Sequence, residues 1–291
     1  MEIPLFPLHT VLCPGIALPL HIFEPRYRLM IERCVEKSVP FGIVLIREGR
    51  EVGSGKVAIA GVGTFAEIRE ATLLPDGRYD LLVVGSGRFT VDEIDLGKEP
   101  YLVGEVTALD DEVGDQVAAT TLAARTMRRF VAYLQLLQPM EGETAEEIDV
   151  RVEIETETDP GADPEAEPEL GPMADPIEIT TEDIASVAAS EDPLAAEAEE
   201  PDGPDDDPER AARLEEAARR LVIPEDPTVL SYLLSGIIQV DAVRRQALLE
   251  AASTEARLEA LDRLIERELW MLRRRLRFFV PDPRYDTVRR N

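Results

Sequence analysis

The sequence runs to 291 residues with 44% hydrophobic residues and a formal net charge of −28, enough for one large domain or two modest ones with a real core. No uninterrupted run of about 18 apolar residues occurs, which excludes a transmembrane helix and makes a membrane partner unexpected. The charge is local: residues 141–209 hold 27 acids and one base, Arg151, while the other 222 residues hold 32 acids and 30 bases. The folded parts are therefore close to neutral and lack the basic field that phosphate binding requires, so nucleic acid is disfavoured as a partner.

Met1-Glu2-Ile3-Pro4 puts an acid where a secretory signal carries positive charge, and the expected location is the cytoplasm. Cys13 and Cys34 lie in apolar surroundings and read as free thiols packed like small hydrophobes. Together with His9 and His21 they match no metal-ligand spacing, so no metal site is expected.

Residues 1–110 read as short strands with one helix. Phe41–Ile46, Lys56–Ala60, Thr64–Ile68, Tyr79–Val84, Phe89–Ile94 and Leu102–Leu109 are apolar and rich in β-branched residues. Gly61, Gly63, Asp76-Gly77, Gly85 and Gly87 separate them. Strands this short and closely spaced predict an antiparallel barrel or sandwich. Glu24–Lys37 is the helix: Pro25 suits a first turn, and Tyr27, Met30, Ile31, Cys34 and Val35 recur on one face. A connecting helix is predicted over Asp115–Gln138, inside 111–140, with Val117, Leu122, Met127, Phe130, Val131, Leu134 and Leu137 on its apolar side.

Composition then changes. Residues 141–208 contain no aromatic residue and are rich in Glu, Asp, Pro, Ala and Gly, too polar to offset their conformational entropy by burial, and predict a disordered acidic insertion. Within it Arg151–Glu157 alternates like a strand and Thr181–Ala189 has helical character. A helical bundle is expected over 209–280. Asp207-Pro208 and Asp226-Pro227 are N-cap and N1 pairs opening helices to Leu221 and to about Ile238. Two more helices follow over Asp241–Ala252 and Thr254–Arg277, the last with a stripe of Leu258, Leu261, Leu264, Ile265, Leu269, Leu272 and Leu276. Residues 281–291 read as a tail.

Motifs that mimic nucleotide sites dissolve on inspection. Gly55-Lys56 follows Gly49 one residue too late for a phosphate loop, and Val57 stands where Ser or Thr is needed. Gly61-x-Gly63-x-x-Ala66 leads into a strand, leaving no helix N-terminus for a pyrophosphate. The sequence has three lysines, none in a recognisable Ser–Lys motif, and no Gly-x-Ser-x-Gly elbow. No catalytic residue and no cofactor is expected, and the protein reads as a non-enzyme.

What stands out is Ile3-Pro4-Leu5-Phe6-Pro7-Leu8, then Val11-Leu12-Cys13-Pro14-Gly15, then Leu18-Pro19-Leu20-His21-Ile22-Phe23-Glu24-Pro25-Arg26-Tyr27. Prolines within apolar strands belong at edges and bends, because each lacks a ladder donor. This string resembles the start of the Lon protease N-terminal, substrate-binding domain. Phe41-Gly42-Ile43-Val44-Leu45, Val62-Gly63-Thr64, Leu82-Val83-Val84-Gly85 with Arg88-Phe89, and Gln246-Ala247-Leu248-Leu249-Glu250 with Arg257-Leu258 agree, and the resemblance covers about 1–138 and 209–272. It implies an α+β fold, a PUA-like β-barrel followed by a helical bundle, and a non-enzymatic module that binds unfolded or degron-bearing polypeptides. An ATP-dependent protease or chaperone is the further partner it suggests. No ATPase or peptidase motif, RING motif or cereblon-type zinc-bearing domain appears in the 291 residues.

Six residues are candidates for polypeptide contact: Phe23, Glu24, Arg26, Tyr27, Arg88 and Phe89. Glu24–Tyr27 fits either a helix start, with Tyr27 inward and Glu24 and Arg26 bonded locally, or the rim of a peptide groove. Arg88-Phe89 fits a hairpin shoulder or a contact. The other function classes kept open are an RNA-binding PUA-like module and a hydrolase using barrel carboxylates.

Overall fold

The computed structural model describes residues 1–47, 56–137, 171–180 and 224–279. The protein divides into two units, one of Met1–Asp111 with Gly171–Ala251 and one of Glu112–Leu170 with Ala252–Asn291.

The first unit is built on β1 (Glu2–Leu8), β2 (Ala17–Ile22), α1 (Pro25–Lys37), β3 (Phe41–Arg47), β4 (Lys56–Ile59), β5 (Val62–Leu73), β6 (Tyr79–Asp95) and β7 (Leu102–Leu109). Strands run in the order β1-β7-β6-β5-β3, and a parallel β1–β3 pairing returns the last to the first. The ring is thereby a closed barrel, which removes most of its open edges. The α+β class and the barrel expected from the sequence are what the protein forms.

The prolines of β1 are accommodated by a change of partner. Glu2–Leu5 pairs antiparallel with β7, and Leu5–Leu8 pairs parallel with β3. Each half has one hydrogen-bonded neighbour, so Pro4 and Pro7 lie in stretches with one side of the ladder open. β2 pairs with β6 alone, and Pro19 sits on that edge strand.

The sequence separated Tyr79–Val84 from Phe89–Ile94 at two glycines, yet β6 is one strand of 17 residues. A Cβ on Gly85 would stand 2.5 Å from the Cys13 oxygen. Gly15 N donates to Gly85 O at 2.8 Å and Gly85 N to Ile16 O at 3.0 Å. Gly85 therefore admits the neighbouring backbone instead of ending the strand.

α1 buries Tyr27, Met30, Ile31 and Cys34 against the barrel, but Val35 is exposed. Its C-cap Ser38 is left-handed, and Ser38 N and Val39 N donate to Val35 O and Cys34 O, which closes the helix end. Both cysteines are buried, and neither is in a disulfide.

α3 (Pro227–Ile237) and α4 (Ala242–Glu250) belong to the same unit as the barrel. Asp226 accepts from Thr228 N at 2.7 Å and Asp241 from Arg244 N at 2.8 Å, so both act as N-caps, Asp226 as its sequence position indicated. The bundle expected over 209–280 is thus divided between the two units.

The second unit pairs α2 (Gln116–Leu137) with α5 (Thr254–Phe279). The buried side of α2 matches the predicted one only in part: Phe130 is buried and Leu122, Met127 and Leu134 are half-buried. Ala119, Ala123, Thr126, Arg129, Phe130, Tyr133 and Leu136 face inward, whereas Val117 and Val131 are exposed. Arg129 turns inward because Asp262 and Glu266 of α5 meet it, at 2.9 and 3.0 Å. Counting apolar residues cannot register such a pair.

The acidic segment also differs from expectation where it is described. Residues 171–176 have no regular secondary structure, and Ile177–Thr180 form β8, antiparallel to β4. The rest of 141–208, with the strand-like patch Arg151–Glu157 and the helical patch Thr181–Ala189, lies outside the described residues. So do the helix expected up to Leu221 and the tail 281–291. Among the described residues no helix is long and apolar enough to cross a membrane.

Candidate functional site

The turn from β2 into α1 sets the first four candidates side by side. Glu24 is the N-cap residue of α1, and its side chain makes no cap bond. It instead accepts from Arg26 Nε at 2.8 Å, near the positive end of the helix. The Arg26 guanidinium lies 4.5 Å from the centre of the Tyr27 ring, and Phe6 meets that ring edge-on at 4.5 Å. Tyr27 is 3% exposed. Burial drives its hydroxyl well above the usual range, against the lowering field of Arg26.

Phe23, by contrast, is 38% exposed. Its ring lies 6.4 Å from that of His21 at an interplanar angle of 30°. His21 is fixed on both nitrogens: Nδ1 faces Asp80 at 2.5 Å, and Arg78 Nη1 faces Nε2 at 3.0 Å. A guanidinium only donates, so Nε2 accepts and Nδ1 carries the proton. Leu73, also exposed, stands opposite Tyr79, which is itself opposite Ile22. The exposed apolar side chains Phe23 and Leu73 therefore share one end of the sheet.

Arg88 and Phe89 lie elsewhere, in the second half of β6. Arg88 is 4% exposed. It donates to Leu249 O at 2.8 Å, Ala251 O at 2.9 Å and Asp110 O at 3.4 Å, and it pairs with Asp111 at 2.8 Å. The Tyr232 hydroxyl donates to the same Asp111 carboxylate. Gln246 adds a second tie, from Nε2 to Val62 O at 2.9 Å. Phe89 is fully buried in the space left by two glycines: a Cβ on Gly63 or Gly42 would stand 2.5 or 2.6 Å from its ring.

Direct contact with a partner therefore narrows. Tyr27, Arg88 and Phe89 have almost no accessible surface, and Glu24 and Arg26 are 15% and 11% exposed in their side chains. Among the six, Phe23 is the exposed one. Arg88 and Phe89 dock α3 and α4 on the barrel and fill its core. Gln246, Tyr232 and Asp111 were not among the residues the sequence singled out. Gln246 lies in a motif noted for its resemblance, but nothing local marks it as a ligand of Val62.

A further set of side chains meets the acidic segment. Arg47 Nη1 donates to Ala174 O at 3.3 Å and Nη2 to Met173 Sδ at 3.3 Å, while Ala174 N donates to Glu250 Oε2 at 2.6 Å. Nothing in the spacing of Arg47 or Glu250 announces this role. Among the described residues no group of three or more His, Cys, Asp or Glu side chains converges as a metal site would.

Comparison with known proteins gives the family of this sequence. The family model of the ATP-dependent protease La (LON) substrate-binding domain matches residues 2–267. A Lon protease of Parabacteroides distasonis is 32% identical over 139 residues, 47% of this sequence and 16% of that protein. One from Anaeromyxobacter dehalogenans is 27% identical over 149 residues, 50% of this sequence and 18% of that protein. The match thus spans less than a fifth of the length of these curated relatives. Two solved structures are similar. A Lon N-terminal domain protein from Xanthomonas campestris is 29% identical, with a TM-score of 0.34, covering 55% of this protein and 92% of that one. The N-terminal domain of Mycobacterium avium complex Lon protease is 16% identical, with a TM-score of 0.48, covering 90% and 96%. The matched region is the substrate-binding domain, and no catalytic domain is evident in these 291 residues. The protein belongs to the Lon substrate-binding domain family.

Proposed function

We propose that the protein is a non-enzymatic polypeptide-binding module acting in the cytoplasm, which takes up unfolded or degron-bearing polypeptides and presents them to an ATP-dependent protease or chaperone. The observation that carries this reading is the family match over residues 2–267. An exposed apolar end of the sheet at Phe23 and Leu73 is compatible with it, since an unfolded client offers apolar side chains that a folded one hides. The nearly neutral folded parts favour this reading over RNA binding.

The test is binding of the full-length protein to reduced, carboxymethylated lactalbumin by fluorescence anisotropy, without nucleotide. Saturable binding, unaffected by added ATP and absent for native lactalbumin, is the expected result. If the unfolded protein is not bound at concentrations up to the solubility limit, the reading fails. Phe23→Ser should weaken the interaction without changing the melting temperature by more than about 2 °C, since surface changes are usually near-neutral.

A further inference from the structure

β4 is a strand whose far edge would be open if β8 were absent. It pairs with β3 through Ile46–Ile59 and Arg47–Ala58, and on its other side Lys56, Val57, Ala58 and Ile59 are matched to Thr180, Ile179, Glu178 and Ile177. The covering strand has four residues and comes from the acidic segment, more than a hundred residues away in sequence. An edge of this kind is a template for any extended polypeptide.

Just before β8 the segment is held through its backbone at Ala174. Arg47 and Glu250 grip Ala174 by its backbone carbonyl and amide, a pair of groups that every residue except proline shares. Gly61 leaves room for the passing backbone: a Cβ there would lie 3.1 Å from the Asp175 oxygen and 3.4 Å from Ala174 Cβ. Among the described side chains, three of the segment are engaged: Met173 accepts from Arg47 Nη2 at 3.3 Å, and two others pack against the core. Ala174 packs against the cluster containing Val11, Ala60 and Val62, and the half-buried Ile177 packs against that containing Ile59, Phe89 and Val91. Asp175 and Pro176 between them are exposed. Backbone pairing supplies affinity and a pocket for one side chain supplies selectivity, the pattern of strand-addition recognition.

We infer that the β4 edge, with the Arg47–Glu250 clamp, is a binding site for extended polypeptide, and that residues 173–180 are its resident occupant. The partner that fits has a small residue at the clamp and an aliphatic residue three positions later, with no demand on the residues between. This assignment rests on the polypeptide-binding reading and gives it a location. An occupant tethered within the same molecule competes at an effective concentration of about millimolar, so the site would admit a client only when the resident strand yields.

The experiment uses the full-length protein and a fluorescein-labelled peptide of residues 171–180. Ile177→Asp combined with Ile179→Pro disables the resident strand by removing its aliphatic anchor and placing a strand-breaking proline within its four residues. The disabled protein should bind the peptide about tenfold more tightly than the wild type, or better. A peptide carrying Ile177→Asp should not bind, and adding Arg47→Met and Glu250→Gln to the disabled protein should abolish the gain. Equal affinity of wild-type and disabled proteins would overturn the proposal. If the disabled protein does not fold, hydrogen exchange of the wild type decides. Excess peptide should release the amides of 177–180 while those of 56–59 stay protected, and no change in either overturns the proposal. Client binding measured alongside separates the two ideas. Lactalbumin binding with no difference in peptide affinity overturns the edge and leaves the polypeptide reading standing. A gain for peptide without lactalbumin binding supports the edge and sinks that reading.

Discussion

Arg88 Nη1 donates to the backbone oxygen of Leu249 at 2.8 Å, joining β6 to the end of α4 across 161 residues of sequence. The same guanidinium reaches Ala251 O and the Asp111 carboxylate, so one buried cation neutralises an acid and caps two carbonyls of a helix terminus. Helix ends carry such unsatisfied carbonyls by construction, and a buried one must find a donor.

Arg88→Met should therefore cost about 3 kcal/mol, because it removes the donor of the buried Leu249 carbonyl and of the partly buried Ala251 carbonyl and takes the cation away from Asp111, to which Tyr232 still donates. Urea denaturation followed by far-UV dichroism measures this. A loss below about 1 kcal/mol would show that water replaces the guanidinium at no great cost.

Gly42 and Phe89 should prove coupled. A Cβ on Gly42 would stand 2.6 Å from the Phe89 ring and 2.7 Å from Leu5 Cδ2. Gly42→Ala alone is expected to destabilise by about 1–3 kcal/mol through overpacking. In combination with Phe89→Leu, which frees ring volume, the loss should fall short of the sum of the two by about 1 kcal/mol. Strict additivity in a double-mutant cycle would contradict the packing described.

Cys34 gives the protein an alkaline limit. Burial pushes its thiol from 9.0 up to about 11, against the lowering influence of Lys37. A pKa raised in the folded state means that the folded form holds its proton where the unfolded form has lost it. The associated stability is complete below pH 9 and disappears as the pH rises from 9 to 11, amounting to about 2–3 kcal/mol. In Cys34→Ala the decline over that interval should be smaller by about this amount, read from chemical denaturation at about pH 8, 9, 10 and 11. The native thiol should also resist iodoacetamide near neutral pH, since only the thiolate reacts.

The second unit offers a contrast between two arginines. Arg129 pairs with Asp262 and Glu266, with Arg129 and Asp262 side chains 5% and 3% exposed, whereas Arg263 and Glu259 are 3.9 Å apart on the surface. Arg129→Met should cost about 3 kcal/mol by stranding buried acids, softened by Arg125, which also reaches Asp262. Arg263→Met should cost less than about 0.5 kcal/mol. Similar melting temperatures for the two variants would mean that the Asp262 site takes up water.

Local chemistry carried part of the fold plainly. The prolines of Ile3–Tyr27 marked strands with incomplete pairing, Asp226-Pro227 marked a helix start that the structure caps as expected, and the alternation of short apolar runs with turn residues marked an antiparallel barrel or sandwich. These features follow from φ restriction, missing donors and side-chain period, which act within a few residues. The helix start at Glu24–Tyr27 was legible for the same reason: its salt bridge and inward ring are made by near neighbours.

What the tertiary structure alone decided depends on which distant segments meet. Gly85 has the look of a strand end until Cys13 passes over it, and Gly63 that of a hairpin turn until Phe89 fills its missing Cβ. Arg129 has the look of a surface residue until Asp262 faces it. Four residues of an acidic run became a strand because β4 had an edge to offer. In each case the residue's own chemistry permits two roles, and only the partner brought by the fold selects between them. Sequence periodicity could therefore name the elements, while the third dimension assigned Arg88 and Phe89 to the interior and left Phe23 on the surface and the β4 edge to β8.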